Sequence, residues 1–500
     1  MDILAVEKVG DKTRQSIKWS FALQILQKIA FFASSIVLAR LLTPKDFGLA
    51  TMAITLDTVI WLVSSLGVNS AVIHFQDNIE ERLNAAFWLF LISSGFFVIL
   101  QIFLAPVIAN FYKAPLLADI VRISAVAMFI TCLGSMHKTI LIKKIEFKKI
   151  SILETSLGII KSLLYVIFAL VGFGVWSFIY PKIIVAVINS VSLWKMSDWQ
   201  PKFKFNFKYW IEMFNYGKSV LLSNIIDYFI NNSSYILIGS MVGSSLLGIY
   251  TFAYDKSMMV VNNIAYPAMM ISFPAFSRLQ DYKDKLKNAF FKTIRLISFL
   301  TFPCAFGQII LGREYIHVIF GDKWNDSIII FQMILVYSML RSVCQCGNPI
   351  LQGIGKPNIV LKWNLIFAPI FIFFLYIGFL TGGIYGIGAA TTLVGIAGSL
   401  IYLTIVIKAL NWHFKDVYDA LSPSLLSSII MGIIIFLMKI FLKSLNTPNA
   451  IILITLVPTG ILIYALSIRI FFEESYEIVF DNLMKFLGKN KGVKNVFSKT

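Results

Sequence analysis

The chain has 500 residues, of which 58% are hydrophobic and only 14% are charged, and its mean hydropathy is +0.79. Soluble domains average about 25% charged residues, so this composition excludes a soluble globular protein and indicates an integral membrane protein. Lys and Arg (44) outnumber Asp and Glu (26), for a formal net charge of +18. These basic residues gather in alternate connections between apolar stretches, the positive-inside pattern, and we expect no nucleic-acid partner.

The first apolar stretch, 16–42, is long enough to span a bilayer yet carries polar residues along one side of the predicted helix. Those residues are Gln24, Gln27, Lys28, Ser34 and Ser35. An amide or ammonium group in hydrocarbon costs about 1–3 kcal/mol or more, so this side is not expected to face lipid. We predict that it faces water or other protein and that the helix lines a cavity.

Apolar stretches of spanning length recur along the whole chain, and the length rule gives about fourteen of them. They predict an all-α polytopic membrane protein. No connection exceeds about twenty residues, which leaves no room for a soluble domain in a loop. The predicted spans are 16–41, 47–72, 85–110, 117–140, 151–172, 175–195, 213–240, 246–274, 288–311, 327–351, 358–380, 384–408, 421–442 and 449–472.

The orientation of the spans follows from the loops. Clusters of lysine come after the fourth, sixth and eighth spans and in the tail, whereas the odd-numbered loops carry few basic residues apart from Arg40 and Lys45. With an even number of spans, both termini are predicted to be cytoplasmic. The tail 473–500 is either an amphipathic interfacial helix or a solvated basic segment.

The chain repeats itself at a shift of about 200 residues. The segment 38–53 aligns with 238–253, which places Gly48 on Gly248. We therefore predict two homologous six-helix halves in parallel orientation, related by an axis along the membrane normal. The predicted parts are an N-terminal lobe over 1–195, a cytoplasmic linker over 196–209, a C-terminal lobe over 210–410, two further helices over 411–472 and a basic cytoplasmic tail over 473–500.

Ionisable residues inside the predicted spans are functional candidates by default. The basic ones are Lys28, Lys161, Lys256 and Arg341, and the acidic ones are Asp57, Glu154, Asp227 and Asp255. The polar stripe also recurs in the second half, where Asn224 and Asp227 stand at the positions of Gln24 and Gln27. Deep basic groups at least match acidic ones, which fits an anionic substrate better than an organic cation.

Several of these residues have a structural alternative. Glu154 and Lys161 lie two turns apart on one helical face, so they can form an ion pair through an intermediate group. Asp57 and Asp255 are candidates for ion or proton coupling, or for hydrogen bonds between packed helices. Arg341 either binds a phosphate or pairs with a carboxylate.

Two further groups of residues have simple structural expectations. Lysines near the ends of spans, among them Lys182, are expected to reach the headgroups. The four cysteines lie in apolar stretches and are interpreted as free, buried thiols, neither disulfides nor zinc ligands. They are Cys132, Cys304, Cys344 and Cys346.

Catalytic signatures are absent from the sequence: there is no HExxH, no GxSxG, no Walker A loop and no DxD pair. We therefore expect no enzymatic activity, no metal and no cofactor. Transport by such a chain would be driven by an ion gradient, the membrane potential or the substrate gradient.

Five segments in order along the chain carry a family resemblance. They are LARLLTPKDFGLATMA (38–53), LGIYTFAYDKSM (247–258), FPAFSRLQDYKDKLKNAF (273–290), FGDKWNDSIIIFQMI (320–334) and LQGIGKPN (351–358). With them the chain resembles the polysaccharide exporters and lipid-linked oligosaccharide flippases of the multidrug/oligosaccharidyl-lipid/polysaccharide superfamily, particularly the colanic-acid-exporter branch.

The resemblance implies two six-helix lobes plus two helices, and alternating access in a bacterial cytoplasmic membrane. It implies transport of undecaprenyl-pyrophosphate-linked glycan repeat units to the outer leaflet, for O-antigen, capsule or exopolysaccharide synthesis, beside a glycan polymerase as a partner. Related flippases hold the pyrophosphate with basic residues on helices 1 and 8, where Lys28 and Lys256 stand here. We add Arg341 and Lys161 as pyrophosphate ligands. The predicted sugar-contacting residues are Gln24, Gln27, Asn224, Asp227 and Asn231.

Three family motif residues are predicted to be structural: Gly48 and Gly248 for close helix approach, and Trp324 as an interfacial anchor. Rival functions stay open at this point. A cation- or proton-coupled multidrug or metabolite antiporter of the same superfamily would share the fold, a glycan polymerase or ligase would need a larger outer loop, and a scaffold role is compatible with either.

Overall fold

The computed structural model describes residues 23, 25–75, 77–144 and 146–473, which form α-helices with one π-helical turn and one 3-10 turn and no strand within these ranges. The predicted all-α class is therefore confirmed. The predicted residue Gln24 and the tail beyond 473 lie outside the described residues. The helices are α1 (25–41), α2 (Pro44–Ser65), α3 (Val68–His74), α4 (Ile79–Phe111), α5 (Leu116–Lys143), α6 (Phe147–Leu170), α7 (Trp176–Met196), α8 (Phe207–Met241), α9 (Ser244–Val260), α10 (Tyr266–Arg278), α11 (Lys283–Phe320), α12 (Ser327–Cys344), α13 (Gly347–Gly353), α14 (Pro357–Ala409), α15 (Phe414–Ser444) and α16 (Asn449–Phe471).

Eleven helical stretches in the described part of the chain are long and apolar enough to cross a membrane. Two of them are composite: Ser244–Arg278 joins α9 to α10 through the π-helical turn Val261–Ala265, and Ser327–Gly353 joins α12 to α13. The longest, α14, contains non-helical backbone at Gly382 and Gly383, so it is two antiparallel spans. With the two arms of α14 counted separately, twelve of the fourteen predicted spans fall on these stretches. The first and the seventh predicted spans fall on α1 and α8, which are helical but are not among the eleven.

The chain divides into two compact units, Met1–Thr251 and Phe252–Thr500, with the division inside α9. The first unit therefore holds α8, which the repeat places at the start of the second half. The lobe boundaries drawn from the sequence, at 195 and 210, stay predictions.

In the first unit, α5 packs against both α4 and α7, and α2 lies along α8. The start of α2 is fixed by local sequence: the Thr43 hydroxyl accepts a hydrogen bond from the Asp46 amide, the Asp46 carboxylate accepts one from the Thr43 amide, and Pro44 begins the helix. Its end is equally local, because Leu66 and Gly67 adopt positive φ angles of 45° and 70°.

In the second unit, α11 is the central helix and packs against α12, α15 and α16, while α12 packs against α14. The hairpin in α14 closes tightly because Gly378 and Gly386 face each other across it. A Cβ at Gly386 would lie 1.9 Å from the Gly378 carbonyl oxygen. Gly383 turns the chain with a φ of +56°, a region that favours glycine.

Candidate functional site

The two motif glycines lie in a seam between the starts of α2 and α9, inside the first unit. A Cβ at Gly48 would lie 1.7 Å from the carbonyl oxygen of Ser244, and a Cβ at Gly248 would lie 1.8 Å from that of Pro44. No side chain fits at either position, so the predicted close approach is present. We call this reciprocal contact the glycine seam.

Beyond the glycine seam, α2 packs against α8. The hydroxyl of Tyr228 on α8 donates a hydrogen bond of 2.6 Å to the carbonyl oxygen of Thr55. A Cβ at Gly67 would lie 2.5 Å from the Cα of Gly217. In the described conformation α2 therefore contacts α8 near its middle and at its far end.

On α1, the polar stripe divides into an exposed and a packed part. Lys28 is exposed, whereas Gln27 is half-buried and reaches α6, where a Cβ at Gly158 would lie 2.1 Å from its amide nitrogen. The hydroxyls of Ser34 and Ser35 donate to carbonyl oxygens of their own helix at 2.9 and 2.8 Å. The serine hydroxyls thus have hydrogen-bond partners within α1. Among the described residues of the polar stripe, Lys28 is the exposed charged one.

On α8, the three predicted sugar-contacting residues share one exposed face. Asn224, Asp227 and Asn231 are all exposed, and their spacing of three and then four residues keeps them on one side of the helix. The Asn231 amide donates to the Asp227 carbonyl oxygen at 2.7 Å. Such a face on a helix that the sequence predicts to span the membrane belongs in water or against other polar groups, because hydrocarbon offers it no hydrogen-bond partners.

Asp57 is buried in the interior of the first unit, where four helices meet. Its carboxylate accepts hydrogen bonds from the Gln101 amide at 2.8 Å and from the Ser124 hydroxyl at 3.0 Å, and it forms an ion pair with Lys182. Asp57 therefore has a complete set of partners on α4, α5 and α7. The expectation that Lys182 reaches the headgroups is wrong, because its ammonium forms an ion pair with the buried carboxylate of Asp57 on α2.

Glu154 and Lys161, for which an ion pair through an intermediate group was one alternative, have different neighbours in the structure. Glu154 is exposed and pairs with Lys138 on α5 at 2.5 Å. Lys161 is half-buried, with its ammonium 5.4 Å from the ring centroid of Tyr165. The partner of Glu154 comes from a neighbouring helix, which spacing along α6 cannot reveal.

Lys256 lies in the second unit against two aromatic rings. Its ammonium is 5.0 Å from the ring centroid of Phe320 and 5.6 Å from that of Phe252. The negative faces of aromatic rings attract a cation at this distance. The neighbouring Asp255 is exposed.

Trp324 belongs to the same aromatic cluster and is not an interfacial anchor. It is fully buried in the 3-10 turn Asp322–Trp324 and stacks on Phe252 with 4.0 Å between ring centroids. The interfacial prediction for Trp324 is wrong, because the 3-10 turn after α11 packs the indole against Phe252 of α9 and buries it. Cys304 also departs from its prediction: it is exposed, whereas the other three cysteines are buried.

Arg341 on α12 lies among tyrosines. Its guanidinium donates to the hydroxyl of Tyr337 at 2.9 Å and to that of Tyr254 at 3.3 Å. Tyr254 precedes Lys256 by two residues, a rotation of about 200° around α9. Arg341 thus contacts the side of α9 that faces away from Lys256, and the two predicted pyrophosphate ligands do not share one side of that helix.

The π-helical turn Val261–Ala265 follows Lys256 by one turn of α9. Such turns widen a helix locally and are frequent at functional sites. It was not anticipated from the sequence, although Pro267 just after it is a signal for a break. The functional candidates on α9 therefore stand directly before an irregular segment of their own helix.

Comparisons with known proteins agree with this architecture. A profile of the family described as "Polysaccharide biosynthesis protein" matches residues 37–329. The chain is 24% identical over 408 residues to the "Lipopolysaccharide biosynthesis protein WzxC" of Escherichia coli (strain K12), which covers 80% of this chain and 81% of that protein. It is 24% identical over 470 residues to the "Succinoglycan biosynthesis transport protein ExoT" of Rhizobium meliloti (strain 1021), covering 91% and 92% of the two chains.

Two solved structures share the fold. The "Lipid II flippase MurJ, inward closed conformation" superposes with a TM-score of 0.76 at 16% identity, over 91% of this chain and 99% of that one. An inward-facing multidrug resistance MATE family transporter of the MOP superfamily superposes with a TM-score of 0.61 at 16% identity, over 77% and 94%. At these identities the likeness establishes the shared helical architecture.

Proposed function

Because the chain belongs to the polysaccharide biosynthesis protein family, we propose that it is a flippase for undecaprenyl-pyrophosphate-linked oligosaccharide repeat units. It moves them from the cytoplasmic to the outer leaflet of a bacterial cytoplasmic membrane for cell-surface polysaccharide synthesis. We propose that both termini lie in the cytoplasm and that a glycan polymerase of the same pathway is a partner. The chain itself is assigned no catalytic step.

The observation that carries this proposal is the exposed polar face that α1 and α8 keep within spanning helices. Lys28 on α1 and Asn224, Asp227 and Asn231 on α8 are exposed where a membrane protein otherwise shows lipid-facing apolar side chains. A hydrated cavity accounts for such faces, since hydrocarbon would leave their polar groups unsatisfied. Amide and carboxylate groups on α8 suit sugar hydroxyls, and a lysine on α1 suits a pyrophosphate.

The chemistry of the substrate explains why a protein is needed. The charged pyrophosphate and the sugars cannot cross hydrocarbon without large desolvation costs, whereas the polyprenyl tail is already at home in lipid. A cationic, hydrated cavity accepts the headgroup while the tail stays in the bilayer. We assign Lys28 and Lys256 to the pyrophosphate.

Arg341 and Lys161 are secondary candidates for the pyrophosphate. The fork of Arg341 already meets the hydroxyls of Tyr254 and Tyr337, which favours a role in positioning α9. Asp57, Asp255 and Glu154 are proposed for ion or proton coupling. Of these, Asp57 is the buried one.

In this proposal the glycine seam is the gate on the outer side. The predicted orientation places the loops before Pro44 and Ser244 outside the membrane, so backbone contact there closes the outer end. Release to the outer leaflet then requires α2 and α9 to separate at Gly48 and Gly248. Alternating access is the exchange between the closed and the separated seam.

A reconstituted assay tests the proposal. Lipid-linked oligosaccharide is placed in both leaflets of vesicles, and a membrane-impermeant glycosidase is added outside. Vesicles without protein should lose the glycan of the outer leaflet only, whereas vesicles with the protein should lose nearly all of it. Protection of half of the glycan in both samples would reject flippase activity. The antiporter alternative predicts the same protection of half of the glycan, together with exchange of a drug or metabolite for a cation.

A further inference from the structure

The segment that joins α7 to α8 combines aromatic and basic residues in alternation. Its sequence over 201–210 is PKFKFNFKYW, and we call this range the aromatic-basic linker. Because α7 and α8 are both predicted to span the membrane, the chain between them is predicted to lie at the membrane surface. Phenylalanines stand at 203, 205 and 207, and lysines stand at 202, 204 and 208.

The phenylalanines of the linker are strongly exposed. Phe203 is 78% exposed, Phe207 is 68% exposed and Phe205 is 45% exposed. Exposure of this degree is ordinary on the lipid face of a spanning helix, but Phe203 and Phe205 lie outside the helices. Apolar rings held in water forgo the favourable free energy of burial, so these three side chains indicate a surface that something covers.

The linker is fixed to the first turns of α4. The Trp88 indole donates to the carbonyl oxygen of Lys202 at 2.9 Å, and the amide of Lys202 donates to the side-chain oxygen of Asn84 at 2.6 Å. The Trp210 indole donates to the carbonyl oxygen of Ala85 at 2.8 Å. The exposed rings are therefore presented by a positioned backbone.

The rings form a continuous aromatic array. Trp88 lies 4.3 Å from Phe203 and 5.4 Å from Phe205, and Phe207 lies 4.9 Å from Trp210, between ring centroids. Aromatic side chains concentrate at the boundary between headgroups and hydrocarbon, where a flat apolar ring and a polar edge are both satisfied. The indole nitrogens of this array already donate hydrogen bonds to backbone carbonyl oxygens. Its apolar ring faces are therefore the part that is available to contact another molecule.

The charges of the linker identify that partner. Lys202 pairs with Glu80 at 2.6 Å, whereas Lys204 and Lys208 are exposed beside the rings. Basic residues next to inserted aromatic residues bind anionic leaflets, since each adds attraction to lipid phosphates. We propose that the aromatic-basic linker is a binding site for anionic phospholipid, with its phenylalanines inserted among the headgroups and Lys204 and Lys208 on the phosphates.

Depth measurement in the full-length protein tests this site. A nitroxide is attached at Phe203→Cys in a Cys304→Ser background, and the protein is reconstituted in phosphatidylcholine vesicles with or without phosphatidylglycerol. Collision rates with oxygen, which concentrates in lipid, and with a water-soluble nickel chelate report the depth of the label. Asp281→Cys, exposed in the turn between α10 and α11, is the matched control.

The site predicts that the label at 203 collides with oxygen several-fold more than with the nickel chelate, while the label at 281 shows the reverse. Phosphatidylglycerol should deepen the label at 203, and the additional changes Lys204→Gln and Lys208→Gln should remove that effect. Equal chelate access at 203 and 281 overturns membrane docking. A depth that ignores phosphatidylglycerol overturns the anionic assignment, and dipolar broadening between labels on two copies assigns the surface to self-association instead.

Discussion

Gly48 and Gly248 occupy equivalent positions in the two halves of the sequence, and each makes room for the carbonyl oxygen of the residue that begins the other's helix. Their missing side chains leave no space: an added Cβ would lie 1.7 and 1.8 Å from those oxygens. A pair of helix starts in backbone contact has two natural states, touching and parted. The repeat in the sequence thus appears in the structure as a symmetric closure.

The glycine seam predicts that Gly48→Ala and Gly248→Ala each disfavour the closed state. Overpacking of a tight contact costs about 1–3 kcal/mol, which shifts the equilibrium away from closure by roughly fivefold to somewhat over a hundredfold for each change. Export of glycan should fall accordingly, and a cysteine pair at Lys45 and Ser245 should cross-link less. Gly307→Ala is the matched control, because no atom lies within 4 Å of its added Cβ. Normal export and cross-linking in the double glycine variant would contradict the gate.

The pyrophosphate assignment predicts that Lys28→Ala and Lys256→Ala each reduce flipping at least tenfold, since a charge-assisted contact to phosphate is worth roughly 1.5–3 kcal/mol. Lys→Arg at either position should retain part of the activity. The measurement is the vesicle assay, with equal amounts of monodisperse protein. Lys283→Ala, at the exposed start of α11, should have no effect. Full activity of both alanine variants would remove these residues from the site.

The ion pair of Asp57 and Lys182 predicts a large loss of stability when one partner is removed. Asp57→Asn should lower the free energy of unfolding by an amount near the lower end of roughly 3–5 kcal/mol. The lower end applies because the Lys182 side chain is 28% exposed and water can partly solvate its charge. The double variant Asp57→Asn with Lys182→Met should recover much of that loss in a thermal melt.

The same double variant separates a structural pair from a coupling site. If the ion pair only holds α2 against α7, the double variant should recover transport activity together with thermal stability. If Asp57 also carries a proton or cation, the double variant is stable but its transport no longer responds to an imposed ion gradient. Recovery of gradient-dependent transport in the double variant would exclude Asp57 from coupling.

Burial of Trp324 predicts that Trp324→Ala destabilises the second unit by about 3–5 kcal/mol through loss of the stack on Phe252. The melting temperature in detergent, where no bilayer interface exists, should fall by the same amount as in vesicles. An interfacial anchor would instead lose stability only in vesicles. Trp61→Ala, at a 38% exposed position of α2, is the control.

Local signals in the sequence were sufficient for most of the helices, although not for the π-helical turn Val261–Ala265. The apolar stretches 358–380 and 384–408 predicted a break that Gly382 and Gly383 provide, because glycines and hydropathy act over a few residues. The close approach at Gly48 and Gly248 was predicted from the place of these glycines in the family motifs. The repeat placed Asn224 and Asp227 at the positions of Gln24 and Gln27, and both lie on the exposed face of α8.

Partners between helices were not foreseeable. The ion pair of Asp57 with Lys182 joins residues 125 positions apart, and Glu154 pairs with Lys138 on another helix. Such pairs depend on which faces meet, which hydropathy does not encode. The burial of Trp324 was missed for the same reason: a motif tryptophan beside a loop has the same pattern whether the turn folds under a helix or lies on the membrane surface.

The leaflet location of lipid-linked repeat units in cells lacking this protein shows whether the chain is their flippase. The account predicts that the units accumulate on the cytoplasmic leaflet, that re-expression of the wild-type chain clears them, and that the Lys28→Ala and Lys256→Ala variants do not. Arrival of the units at the outer leaflet without the protein, together with loss of drug efflux, would contradict the flippase and favour an antiporter.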